Sequence, residues 1–383
     1  MNGEQRIEAG LGPDGTRDIP AVICYEGIYT RDHWDQLTDQ PWWAQYSGDL
    51  DEQVAWRGDV IERTGQDWFY LHVCASRDER SARRIEPIGA DAIDRIDERT
   101  DERERIDRPR IGGWSPTDAI ASINPLDMIE TETQVDERWP TAEAFDAERF
   151  IRAGHGDLAA RMLAADGPGA GLFPITHVSS PLWSCYALWG FDGMMMMVLD
   201  QPDLVAYACR RHLDHVFGSI EAAKALGARG IWIEECMTDM VSPDAFAQLN
   251  VPYLKQIVAA IRDAGMKSIY YFCGDPSGKW DMLMEVGADA LSLEESKKGF
   301  EIDIDNAVER TGGRCALLGN VDAIDLLETG SEAEVRAELS RQIDAGRRIG
   351  GRFVMSIGSP VTPDTSVERV RDYCDWAREL GRG

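Results

Sequence analysis

Six short apolar runs, at 171–177, 229–235, 268–273, 289–294, 315–319 and 352–357, each give way to a helical pattern before the next run begins. The helical stretches fall near 200–226, 243–264, 278–286, 303–311, 331–348 and 365–380. Strand–helix alternation at this spacing, ending on a helix, implies a parallel sheet. Two further runs, at 19–29 and 67–74, favour a closed (β/α)8 barrel of TIM type over an open sheet. The 383 residues suit one large α/β domain, 1–383, with helical and loop elements at its N-terminal end. Residues 75–112 break the rhythm: short alternating runs around the Glu98–Glu104 charge cluster predict a solvent-facing β-ribbon inserted over 80–112. A longer helix is expected over 140–166, stopped by Gly167-Pro168-Gly169. Neither a G-x-G-x-x-G turn after a strand nor a phosphate-binding G-x-x-x-x-G-K-[ST] loop is present, which removes support for the nucleotide folds.

Charge narrows the partners. The net charge is −28, the carboxylates are spread along the whole chain, and lysine occurs at only six positions. An acidic, lysine-poor surface stays hydrated in concentrated salt, where screening removes most self-repulsion, so a salt-adapted (halophilic) protein is expected. No basic stripe is available to neutralise phosphates, which argues against nucleic acid. No run of eighteen apolar residues and no signal-peptide pattern occurs, so neither a membrane span nor export is expected and the cytoplasm is the default location. Eight cysteines without paired spacing suit reduced thiols, most of them core residues.

Two strand ends carry chemistry. Ser268-Ile269-Tyr270-Tyr271-Phe272 runs into Cys273-Gly274-Asp275, and Ile231-Trp232-Ile233-Glu234-Glu235 runs into Cys236-Met237. Successive strand residues face opposite ways, so Glu234 and Glu235 cannot both point inward. Carboxylates also stand at other strand ends, at Glu26, Glu294 and Glu295, and Asn320 is beside Asp322 in the next such position. Each alone suits a cap or ion pair; as a group at one barrel face, a general acid among Glu26, Glu235 and Glu294 is expected. Aromatic residues near the expected mouth, Tyr25, Trp42, Trp43 and Trp183, together with Met194–Met197, would make a flat apolar pocket. Tyr25, Trp42, Trp43, His177, Trp183 and Asn320 are therefore the candidate substrate contacts.

The ordered series Cys273-Gly274-Asp275, Val286-Gly287-Ala288-Asp289, Leu318-Gly319-Asn320-Val321-Asp322, Gly350-Gly351-Arg352-Phe353 and Ser356-Ile357-Gly358-Ser359-Pro360 resembles the uroporphyrinogen decarboxylase superfamily over roughly 170–380. The resemblance implies a (β/α)8 barrel with its site at the C-terminal ends of the strands. True porphyrinogen decarboxylases carry an N-terminal arginine-rich segment for the substrate's carboxylates, and Cys24-Tyr25-Glu26-Gly27 is unlike it. The other branch, to which Cys24–Gly27 and Arg31-Asp32-His33-Trp34 add a weaker similarity with aryl-ether O-demethylase components, moves methyl groups to a separate corrinoid protein. Its zinc ligands are a histidine, a cysteine and a later cysteine; those positions here hold Tyr271, Cys273 and Ser359. With one family ligand left, Glu235, Cys236 and Cys273 are the expected replacement zinc set, and His177 is the fallback.

The expected activity is thus zinc-assisted methyl transfer from a small methylated compound, such as a methoxyarene, to the cobalt of a partner corrinoid protein. A carboxy-lyase and a non-catalytic binding member of the superfamily are the rivals. The charge reading has its own test: thermal unfolding followed from low to molar KCl should show a rising Tm, and a flat or falling one defeats it.

Overall fold

The computed structural model describes residues 1–112, 128–296 and 299–383. Among the described residues ten strands are formed: β1 (Trp68–Tyr70), β2 (Arg83–Pro87), β3 (Ala92–Asp97), β4 (Glu102–Asp107), β5 (Phe173–Ser179), β6 (Gly230–Glu235), β7 (Lys267–Phe272), β8 (Ala290–Leu293), β9 (Ala316–Leu318) and β10 (Phe353–Val354). Seven of them make one curled sheet in the order β1-β5-β6-β7-β8-β9-β10, parallel at every pairing. Helices such as Pro202–Leu226, Val251–Asp263 and Glu332–Arg348 connect successive strands. The helix Glu332–Arg348 starts where a reciprocal cap predicts, with Ser331 and Glu334 satisfying each other's backbone N–H groups.

The ring differs from the expected eight strands at its first position. The segment around Ala21 lies between β10 and β1 but makes only an isolated bridge, Ala21 to Met355. On the β10 side it is held by backbone alone: Val22 donates to the Met355 carbonyl (2.9 Å) and Met355 donates to the Pro20 carbonyl (2.8 Å). On the β1 side, side chains stand in for ladder carbonyls. Ala21 donates to Asp67 Oδ2 (2.8 Å) and Ile23 donates to Gln66 Oε1 (3.0 Å). Asp67 N returns one bond to the Ala21 carbonyl (2.9 Å). A ladder needs carbonyls in register, and here two carboxyl and amide oxygens take their place, so the curl is spanned without an eighth strand.

The expected helix over 140–166 is broken into Ala147–Ala153 and Asp157–Met162, because Gly154 takes a left-handed conformation (φ 93°) and ends the first piece. Within 80–112, β2, β3 and β4 form a three-stranded antiparallel sheet with ion pairs such as Arg84–Glu98 (2.9 Å) on its surface. Trp42 Nε1 donates to the Ala90 carbonyl (2.9 Å) and ties this sheet to the body. Among the described residues no helix is long and apolar enough to cross a membrane.

Register fixes what faces the inside of the curl. Glu234 pairs with Tyr271, and Tyr271 with Ser292. Trp232 stacks on Tyr271 (centroids 4.9 Å) and meets Trp68 edge-on (5.8 Å). The inner column of β6 is therefore Trp232, Glu234 and then Cys236, and that of β7 is Ile269, Tyr271 and then Cys273.

Asp67 is buried, and besides Ala21 its carboxylate meets Arg6 (2.5 Å) and Arg378 (3.6 Å). Removing it takes an ion pair from each of two arginines and the Ala21 N–H bond from the N-terminal segment. Asp67→Ala should cost about 3 kcal/mol in urea unfolding, on the scale of a broken buried ion pair. A loss below about 1 kcal/mol would show that the closure is held elsewhere.

Candidate active site

A cavity of about 730 Å³ opens at the C-terminal ends of β1, β5 and β6. Tyr70 and His72, Thr176 and His177, and Trp232 and Glu234 contribute to its wall from these three strands or the residues just after them. Tyr25 and Glu26 enter from the segment that spans the curl, and Trp56, Arg57, Val60 and Ile61 from the helix Leu50–Thr64. That helix is placed by its own sequence: Asp49 caps its start and Gly65, left-handed at φ 68°, ends it.

Tyr25 is one of three described non-glycine residues with positive φ (53°), and Met237, directly after Cys236, is another (60°). Strain of about 1–3 kcal/mol at such residues persists only where the surroundings hold it, and it gathers at functional sites. Between these two residues lies a line of polar groups. His177 Nε2 meets Glu234 Oε2, Glu234 Oε1 accepts from Cys236 Sγ (3.6 Å), and Tyr25 Oη lies 3.5 Å from the same sulfur. Cys273 Sγ donates to Glu294 Oε2 (3.4 Å). Cys236 is linked by a hydrogen bond to Cys273, and that bond, with burial second, raises its pKa well above the ordinary thiol value. Burial pushes Glu234 up too, but the hydrogen bond and charge of His177 outweigh it, and the carboxylate ends below its usual range.

The second polar group is Glu26 with Arg57. Loss of water around Glu26 raises its carboxyl to about 7, against the opposing pull of Arg57 and a hydrogen bond from Gln66. The same enclosure lowers Arg57 to about 10. His72 presents its ring to the cavity space, and the surrounding protein, with Arg57 next, lowers it to about 3. At neutral pH the cavity thus holds a neutral imidazole, a guanidinium and a carboxyl that is about half protonated.

The expected site residues divide. Tyr25, Glu26 and His177 line the cavity. Cys236 and Cys273 adjoin it through Tyr25 and Glu234. Glu294 is buried beside Cys273. Glu235 faces the other way: its Oε2 accepts from Asn250 Nδ2 (2.6 Å) and Tyr270 Oη (3.2 Å), outside the curl, and burial raises its carboxyl to about 7. The set Glu235, Cys236 and Cys273 is not brought together, because strand alternation turns Glu234 inward instead. Among the described residues no three His, Cys, Asp or Glu side chains converge as a metal-ligand group, so the donors present do not fit the expected zinc. The two family positions that depart are engaged within the protein: Tyr271 Oη donates to the Gly358 carbonyl (3.0 Å), and Ser359 Oγ donates to Glu295 Oε1 (2.5 Å).

Four substrate candidates lie apart from the cavity. Trp42 anchors the ribbon, with Trp43 against it edge-on. Trp183 packs on Tyr186. Asn320 is structural, its Nδ2 donating to the Glu294 (3.2 Å) and Ile302 (2.7 Å) carbonyls. Sequence reasoning missed Arg57, His72, Glu234, Trp56 and Tyr70. Of these, only Glu234 had a readable signal, since Cys236 and Cys273 at the strand ends set the inward parity.

The uroporphyrinogen decarboxylase (URO-D) family model matches residues 172–380. A curated relative, the uroporphyrinogen decarboxylase of Xanthomonas axonopodis pv. citri (strain 306), is 26% identical over 271 residues, covering 67% of this chain and 68% of its own. That of Neisseria gonorrhoeae (strain NCCP11945) is 26% identical over 207 residues, covering 52% and 56%. A solved structure of a methyltransferase from Methanosarcina mazei superposes over 99% of this chain and 98% of its own, at TM-score 0.66 and 17% identity. At that identity the superposition shows a shared fold.

The raised Glu26 carboxyl has a thermodynamic signature. Between its ordinary value of 4.5 and about 7 the folded state binds more protons at this group than the unfolded chain does. Its contribution to stability is therefore fully present below the lower value and lost as pH rises through the upper one. From pH ~5 to ~8, wild type should lose stability relative to Glu26→Gln in urea unfolding. A difference that does not change with pH would place the Glu26 carboxyl in ordinary solvent.

Proposed function

This chain belongs to the uroporphyrinogen decarboxylase family, and from that premise we propose that it is a methyltransferase, taking a methyl group from a small methylated compound such as a methoxyarene and passing it to the cobalt of a corrinoid held by a separate protein. The observation that carries this reading is Glu26, a carboxyl raised to about 7 and so available as an acid near neutral pH, in a cavity walled by Tyr25, Trp56, Phe69, Tyr70 and Trp232. An ether methyl leaves only if the oxygen it abandons is stabilised. Glu26 supplies the proton: as the carbon–oxygen bond breaks, its O–H passes to the ether oxygen, a phenol leaves, and a carboxylate remains. The reduced corrinoid of the partner is the methyl acceptor and provides the electron pair for the new bond. Arg57, close enough to lower the Glu26 pKa, stabilises the carboxylate that forms. The aromatic walls exclude water from the reacting bond.

A second reading, a carboxy-lyase, is favoured by two observations: the curated relatives carry decarboxylase names, and a guanidinium able to hold a substrate carboxylate lines the cavity. One assay separates the readings. Purified protein is given a methoxyarene and a reduced corrinoid protein, and the methylated corrinoid is followed by its absorbance; a parallel sample with uroporphyrinogen is followed for CO₂. Methyl transfer is expected, falling as pH rises through about 7. Glu26→Gln should reduce the rate by about 10²–10⁴, the usual weight of a general acid. CO₂ release without methylated corrinoid establishes the carboxy-lyase instead, and neither product leaves a binding protein.

A further inference from the structure

Glu235 is fully buried on the outer face of β6, away from the cavity, and among the described residues no lysine, arginine or histidine pairs with it. Its Oε2 accepts from Asn250 Nδ2 (2.6 Å) and Tyr270 Oη (3.2 Å), while its Oε1 has no hydrogen-bond partner. The chain turns at Met237, left-handed at φ 60°, and the Thr238 hydroxyl comes back to the same carboxyl, as does that of Ser180. Thr238 Oγ1 and Asn250 Oδ1 are likewise sealed from solvent and outside bonding geometry with any partner. Glu235, Thr238, Asn250 and Ser180 are each 0% exposed. Buried polar oxygens are normally satisfied, and a buried carboxylate calls for a counter-charge. Here three unpaired oxygens gather around one carboxylate, and a carboxylate, a hydroxyl and an amide oxygen are the ligands that a hard cation takes.

We infer that Glu235 Oε1, Thr238 Oγ1 and Asn250 Oδ1 hold a monovalent cation, sodium or potassium, outside the curl. One carboxylate balances one positive charge, whereas a divalent ion in the same place would leave net charge buried. Among the described residues no three His, Cys, Asp or Glu side chains converge, so nothing gathers the charge that calcium or magnesium needs. The position gives the ion a role. Glu235 stands between Glu234 and Cys236, which face inward, and Asn250 joins the helices Pro243–Leu249 and Val251–Asp263. An ion shared by Glu235 and Asn250 ties the end of β6 to the helical layer from outside. The inference goes beyond the proposed reaction and does not depend on it.

The test separates a site from general screening. Thermal unfolding of the full-length protein is followed at one high ionic strength while tetramethylammonium chloride, whose cation is too large to enter an oxygen cluster, is exchanged for NaCl or KCl. Screening is the same throughout, whereas a site gains stability as its ion is supplied. Wild type should melt on the order of 2 °C higher in one of the alkali salts. Glu235→Gln, which keeps the shape and removes the charge, should lose that difference, each variant being compared with itself across the salts. If Glu235→Gln does not fold, Thr238→Val, which removes one oxygen, is read the same way, and the difference should shrink. Equal melting of wild type in the three salts means a neutral carboxyl or a buried water at this position and overturns the inference. A difference that these substitutions leave unchanged overturns it too. No substrate, corrinoid or turnover enters, so this result and that for methyl transfer stand or fall separately.

Discussion

One buried carboxylate, Asp67, holds the architecture in register. Its backbone and side chain both bond to Ala21, and its second oxygen draws in Arg6 from the first helix and Arg378 from the last. The seven strands curl, but β1 and β10 do not pair; the segment between them is fixed on the β1 side by this residue and its neighbour Gln66. A few residues beyond that segment stand Tyr25 and Glu26. The acid of the cavity is thus positioned by the same contacts that span the curl, and fold and chemistry share one dependence.

Much of the fold could be read from the sequence, because buried parallel strands write continuous apolar runs and their helices write a different period. The six runs between 171 and 357 all lie on strands of the sheet. What could not be read was the N-terminal closure. The run at 19–29 is as apolar as the others, but Asp67 and Gln66 supply side-chain oxygens where a strand would need a neighbour's carbonyls. Chemistry of this kind, set by residues more than forty positions away, leaves no local pattern. The break at Gly154 was visible as a glycine but not as a left-handed one.

The site was legible to the extent that it follows strand ends. Cys236, Cys273, Glu294, His177, Tyr25 and Glu26 do gather in and around one mouth. Glu235 went astray because Cys236, two residues beyond Glu234, was not used to set the parity of the two adjacent glutamates, which the stack of Trp232 on Tyr271 now fixes. Tryptophans near the N-terminus were attractive as a pocket, but Trp42 and Trp43 serve the joint with the ribbon. Arg57 offered nothing to sequence reasoning: on its helix it has the spacing of any half-buried surface arginine, and only the fold shows that it lines a cavity.

Gln66 has a consequence of a different kind. Its side-chain oxygen is committed to Ile23 N–H, so its amide nitrogen has no choice but to face Glu26, where it donates to Oε2. The backbone N–H of Tyr70 is a second donor to the same carboxyl, so Glu26 is held from two sides. The Gln66 amide acts as a compass needle for the acid: it is pinned at one end by the seam of the curl, and Oε2 is turned towards it before any substrate arrives.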